Sequence, residues 1–194
     1  MFLTLMLLTG WHWPTPEQVL YPTNEARLQS CMTPKPEPTA ATVSQAKADI
    51  GKRRVFFVPP VNTLAGACIP PDDRYPLVVK AAEEFKTTLQ NGTAPPPNIV
   101  VTLMAPIKEY NEARQWMAYL VLKDSTGQVV KRWKPRTGMV RQLTPGSGLS
   151  ILIFDAPTEG ERSLVRRATQ LQVEVDWGQG QVKQVTDTRN LPTY

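Results

Sequence analysis

A chain of 194 residues, 41% apolar and 20% charged, makes one domain of ordinary size with an extension, or at most two small domains, and this composition excludes disorder of the whole. Its 19 prolines are roughly twice the usual share of about 5%, so much of the chain must be loop, leader or strand edge. Two cysteines and one histidine cannot furnish a four-ligand zinc site without carboxylates, and neither a metal nor a cofactor is expected.

Residues 1–10, MFLTLMLLTG, form a short apolar run that is signal-like or anchoring. A bilayer-spanning helix needs about 20 such residues. A secretory signal opens with a basic residue, and the first one here is Arg27. The competing reading is a segment that packs on a partner or lies at a membrane surface.

Residues 11–40 carry prolines at 14, 16, 22, 34, 36 and 38 among Thr, Glu and Gln, a composition that favours extended, polyproline-like backbone. This stretch reads as a leader or tether. Trp11, Trp13 and Tyr21 are its candidate partner anchors, because aromatics dominate interface hot spots, although the same rings would also serve to cover one side of their own domain. In an exported protein Cys31 and Cys68 would form one disulfide pinning the leader to the domain. Closing that loop is worth roughly 3 to 4 kcal/mol on the chain-entropy account. In a reducing compartment they would be two free thiols.

Residues 41–194 read as a single strand-rich globular domain. The spacing predicts a short helix over 41–52, a strand at 54–58 stopped by Pro59 and Pro60, and a firm helix over 76–90. In the last, Leu77, Ala81, Phe85 and Leu89 share a face, Pro76 suits the first turn, and Asn91-Gly92 supplies a left-handed stop. This helix is expected to pack on a sheet.

From residue 98 onward the pattern is β. Ile99, Val101 and Leu103 alternate; residues 115–123 and 128–134 form a hairpin around Asp124-Ser125-Thr126-Gly127, a turn whose Asp bonds nearby amides and whose Gly accepts positive φ. Residues 149–154 are apolar on both faces, 171–177 alternate, and a Gly178-Gln179-Gly180 turn leads to a last strand near 182–186. With 54–58 this makes about seven strands, the pattern of a two-layer β-sandwich, broadly immunoglobulin-like, with one packed α-helix and an extended proline-rich N-terminal leader. The 116–122 strand is apolar on both sides, so it is expected at the centre of a sheet with both faces covered.

Candidate chemistry is sparse. Lys131, Arg132, Lys134, Arg136 and Arg141 lie in an acid-free stretch that, with Trp133, could bind a polyanion such as an anionic glycan, a lipid surface or nucleic acid; basic residues also guard solvated strand edges. Ser44-Gln45-Ala46-Lys47 matches the S-x-x-K nucleophile of penicillin-binding proteins and β-lactamases, and Arg136-Thr137-Gly138 is one substitution from their K-T-G strand. No S-D-N equivalent lies between them, so a serine–lysine acyl-transfer enzyme is a remote alternative. His12 is too poorly placed in the leader to serve a triad, and Glu174 and Asp176 fit a solvated strand face. Asn91-Gly92-Thr93 is a glycosylation triplet only in a eukaryotic secretory pathway. The reading is a non-enzymatic structural or protein-interaction subunit of a bacterial cell-envelope or exported assembly, extracytoplasmic, with other protein subunits as partners and membrane association through residues 1–10 as an option.

Overall fold

The computed structural model describes residues 13–32, 52–68, 76–94 and 96–191. Eight strands form two antiparallel four-stranded sheets. In the first, the order is β1 (Arg54–Val58), β2 (Ile99–Pro106), β6 (Ser147–Phe154) and β5 (Thr137–Thr144); in the second it is β4 (Val129–Trp133), β3 (Trp116–Lys123), β7 (Gln170–Trp177) and β8 (Gln184–Asp187). Five short helices accompany them among the described residues: α1 (Pro16–Leu20), α2 (Asn24–Met32), α3 (Pro60–Cys68), α4 (Pro76–Gln90) and α5 (Arg162–Arg167).

The two sheets share one core, and strand periodicity explains which residues enter it. Successive side chains point to opposite faces, so Ile99, Val101, Leu103 and Ala105 of β2 all turn inward and are 0–2% exposed. Facing them are Trp116, Ala118, Leu120 and Leu122 of β3 and Leu171, Val173, Val175 and Trp177 of β7. Each fully buried aliphatic side chain of this kind contributes about 1.5–3 kcal/mol. Trp116 and Trp177, paired across the ladder, meet edge to face with ring centroids 5.3 Å apart, the arrangement aromatic quadrupoles favour.

β3 is central, as its two apolar faces predict, lying between β4 and β7. Its outer face is covered differently from expectation. Val121 is fully buried there, next in register to Arg132 and Gln172. The Arg132 guanidinium lies 3.8 Å from the Tyr119 ring centroid and pairs with Glu174 at 3.0 Å. Long cross-strand side chains thus lay their stems over the apolar surface, where the helix expected to pack on a sheet does not lie.

The hairpin forms as its turn residues dictate. Asp124 Oδ1 accepts hydrogen bonds from the amides of Thr126 (2.8 Å) and Gln128 (3.0 Å) and from the Thr126 hydroxyl (2.7 Å). Gly127 takes φ +84°, and the ladder shifts register between Leu122 and Lys123, which is the bulge that a loop of this length brings.

Elsewhere the structure corrects the expected elements. An eighth strand, β5, occupies 137–144, where no strand was expected, and α3 follows directly on β1 because Pro60 stands at the first helical position, which needs no backbone donor. Helix α4 does form and ends at Gly92 with φ +69°, but it packs against α2 and α3, not on a sheet. Its buried face is Ala82, Phe85 and Leu89, while Ala81 is exposed. Residues 16–32 are not extended: proline sits at the start of α1 and between the two helices, positions where it does not interrupt a helix. The predicted 41–52 helix lies outside the described residues, apart from Lys52, which is non-helical.

The cysteine expectation is met. Cys31 at the end of α2 and Cys68 at the end of α3 form a disulfide with Cα atoms 5.2 Å apart. Both are buried in a small apolar cluster with Leu89 and Ala94, against which Leu28 and Phe85 pack, a cluster separate from the sandwich core.

Candidate functional site

The N-terminal helix brings the first candidate site together. Thr15 caps α1: its hydroxyl accepts from the Gln18 amide at 3.3 Å and its own amide donates to Gln18 Oε1 at 2.8 Å, a reciprocal capping box. Leu20 then enters the sandwich core at 2% exposure, with Val19 and Tyr21 packed beside it. Polar contacts fix the same helix to α5 and the turn before it. Glu17 Oε1 receives Arg162 Nε and Arg166 Nε, each at 2.9 Å, the Tyr21 hydroxyl donates to the Thr158 carbonyl at 2.6 Å, and the Arg162 guanidinium sits 5.1 Å from the Tyr21 ring centroid.

These contacts shift the groups involved. The Arg162 side chain, followed by that of Arg166, holds the Glu17 carboxyl below the usual carboxylate range, and Glu17 in turn holds the Arg162 guanidinium above its ordinary value. Burial and the nearby carboxylates raise the Tyr21 phenol.

Docking of α1 in this position builds one wall of a groove of about 370 Å³ at the end of the sandwich. Trp13, Pro14 and Val19 line one side and Phe57 and Pro59, at the end of β1, the other. Asp187, the last residue of β8, and the turn after it complete the lining: Asp187 accepts the Arg189 amide (2.9 Å) and guanidinium (2.8 and 2.6 Å), and the Thr188 hydroxyl donates to the Leu171 carbonyl at 3.0 Å. The walls are largely apolar, and Trp13 stands over them 62% exposed.

Of the three aromatic candidates, Trp13 is therefore at a surface, Tyr21 is largely committed to its own domain, and Trp11 lies outside the described residues. Sequence reading missed Glu17, Arg162 and Arg166, which position the segment. They are 145 and 149 residues apart in the chain, and local pattern carries no signal for such a pairing.

The basic candidates do not form one strand. Lys131, Arg132 and Trp133 are on β4 in the second sheet, Arg141 is on β5 in the first, and Lys134 and Arg136 are in the crossover between them. Three of the five cations are engaged: Lys131 with Glu161 (2.8 Å), Arg132 with Glu174 (3.0 Å) and Arg136 with Asp155 (3.1 Å). Trp133 packs against the core and donates its indole N–H to Glu161 at 3.2 Å. Burial alone would raise the Glu161 carboxyl, but the bonds from Lys131, Thr158 and Trp133 outweigh it and leave the group below the ordinary range. Lys134 and Arg141 are exposed, with no ion pair recorded among the described residues.

Ser44, Lys47 and His12 lie outside the described residues. Glu174 is taken by Arg132, and Asp176, 9% exposed, accepts the Gln179 amide at 2.8 Å in the β7–β8 turn. Among the described residues no three His, Cys, Asp or Glu side chains are grouped to hold a metal, and no helix is long and apolar enough to cross a membrane. No family model matches the chain, and no curated protein or solved structure matches it.

Proposed function

We propose that this chain is a non-enzymatic interaction subunit of a bacterial cell-envelope or exported assembly, built on an immunoglobulin-like sandwich. The strand order supports the fold: lettered from β1 to β8 as A, B, C, C′, D, E, F and G, the sheets read A-B-E-D and C′-C-F-G, the immunoglobulin sheets with one added C′ strand. The disulfide of the N-terminal helices is compatible with an extracytoplasmic location.

The observation that carries the interaction reading is Trp13. A tryptophan 62% exposed beside a preformed apolar groove is the residue type and setting of an interface anchor. Purification of the native complex under mild detergent tests this: the chain is expected to run with a fixed, stoichiometric protein partner, and Trp13→Ala to release it. A solitary monomer would dispose of the reading.

The alternative, a polyanion-binding module, has less free charge to draw on than the sequence promised, since three of its five cations already hold carboxylates. The remote acyl-transfer alternative rests on Ser44 and Lys47.

A further inference from the structure

The two ends of the sandwich differ in how their charges are held. At the end that carries the Trp13 groove, cations and carboxylates pair: Lys131 with Glu161, Arg136 with Asp155, Arg162 and Arg166 with Glu17, and Arg189 with Asp187. The opposite end is where β1, β3, β6 and β8 begin and β2, β5 and β7 finish. There Lys52 and Arg53 lead into β1, Lys108 follows β2, Arg114 precedes β3, Arg141 lies near the end of β5, and Lys183 precedes β8. All six are exposed, and none forms an ion pair among the described residues.

The carboxylates at this end are turned to other partners. Asp176 is buried and accepts the Gln179 amide at 2.8 Å. One oxygen of Glu112 accepts the amides of Lys108 and Glu109, each at 3.0 Å, which leaves Glu109 as the one exposed carboxylate among the described residues of these turns. Two aromatic rings hold guanidinium groups in place. Arg53 rests 5.5 Å from the Trp177 ring centroid, and Arg114 5.4 Å from that of Tyr110, whose hydroxyl donates to the Val140 carbonyl at 2.9 Å. A ring face orients a cation without cancelling its charge.

These cations are spread in two dimensions. Arg54 of β1, Met104 of β2, Leu149 of β6 and Arg141 of β5 stand in one register row across the first sheet, which places Arg53 and Arg141 at its two edges, about 14 Å apart by strand spacing. Arg114 and Lys183 belong to the second sheet, about 10 Å away, where the Lys183 amide donates to the Val175 carbonyl at 2.9 Å. A linear polyanion follows a track of charge, whereas a plane of anionic head groups meets cations distributed over an area, and each basic residue near such a plane adds to the attraction. We propose that this end of the sandwich docks on an anionic lipid surface, with Lys52, Arg53, Lys108, Arg114, Arg141 and Lys183 at the head groups. Of the basic stretch at 131–141 only Arg141 takes part, and the docking is independent of the Trp13 groove at the other end.

Sedimentation of the full chain with phosphatidylglycerol or phosphatidylcholine vesicles tests this, in dilute salt and at about 1 M, where the Debye length is about 3 Å. Dextran sulfate serves as a soluble linear polyanion for comparison. The chain is expected to bind the anionic vesicles, to ignore the neutral ones, to bind dextran sulfate more weakly, and to leave the vesicles at high salt. Arg141→Gln and Lys183→Gln should each weaken binding about fivefold, while Arg167→Gln, on α5 at the other end, leaves it unchanged. All three side chains are exposed, so the melting temperatures should hold. No binding to anionic vesicles, equal binding to neutral ones, binding that survives high salt, tighter binding to dextran sulfate, or an equal effect of the three substitutions would each overturn the proposal. The comparisons of head group and of salt need no variant and so decide the matter whatever the variants' stability.

Discussion

Glu17 joins the N-terminal helix to the rest of the molecule, and the physics of that contact sets its pH dependence. Its carboxyl is held low by Arg162 and then Arg166, so the stabilisation is present above the unfolded-state value, near 4.3 for glutamate, and is lost only as pH falls through the lowered folded value. Glu17→Gln is therefore expected to lower the melting temperature at pH 7 and to have a shrinking effect as the medium is acidified below pH 4. A mutational effect independent of pH between 7 and 3 would show that the clamp is not electrostatic. At this scale the sequence was legible wherever a residue acts on its own neighbours: Asp124 and Gly127 make the turn, and Gly92 with φ +69° ends the helix. It was illegible where partners are remote, as with Glu17 and Arg162, or Trp133 and Glu161.

Among elements, the helices show how far an apolar face can be read. Phe85 and Leu89 announce a face on α4, but a face does not say what lies opposite, and here it is α2 and α3 around the disulfide. Pro16 and Pro22 were read as breakers of structure, whereas their positions at a helix start and between two helices are ones that proline tolerates. The small cluster of Cys31, Cys68, Leu89 and Ala94 has few buried side chains of its own, so the disulfide matters most there. Replacing both cysteines by serine is expected to cost that cluster about 3 to 4 kcal/mol. In hydrogen exchange, α2, α3 and α4 should lose protection while β2, β3 and β7 keep theirs. Equal loss of protection in the sandwich would mean that the two cores unfold as one.

For the whole molecule, alternation located β2 and β7, whose inward faces are apolar, while β1, β3 and β6 stood out as short apolar runs. β5 escaped because Thr137, Met139 and Arg141 point outward from an edge strand and only Val140 marks its inner side among Gly138 and Gln142. The two-sheet layout thus followed from the sequence, while the strand order, the placing of the basic residues on both sheets and the groove required the structure. The groove beside Trp13 is where the account is most exposed. A photo-crosslinking amino acid placed at position 13 of the full chain in its native cells is expected to give one discrete protein adduct, and the same group at Val185, 52% exposed on β8, to give none. No adduct from position 13, or the same adducts from both positions, would contradict the assignment of this end of the sandwich as the partner-binding surface.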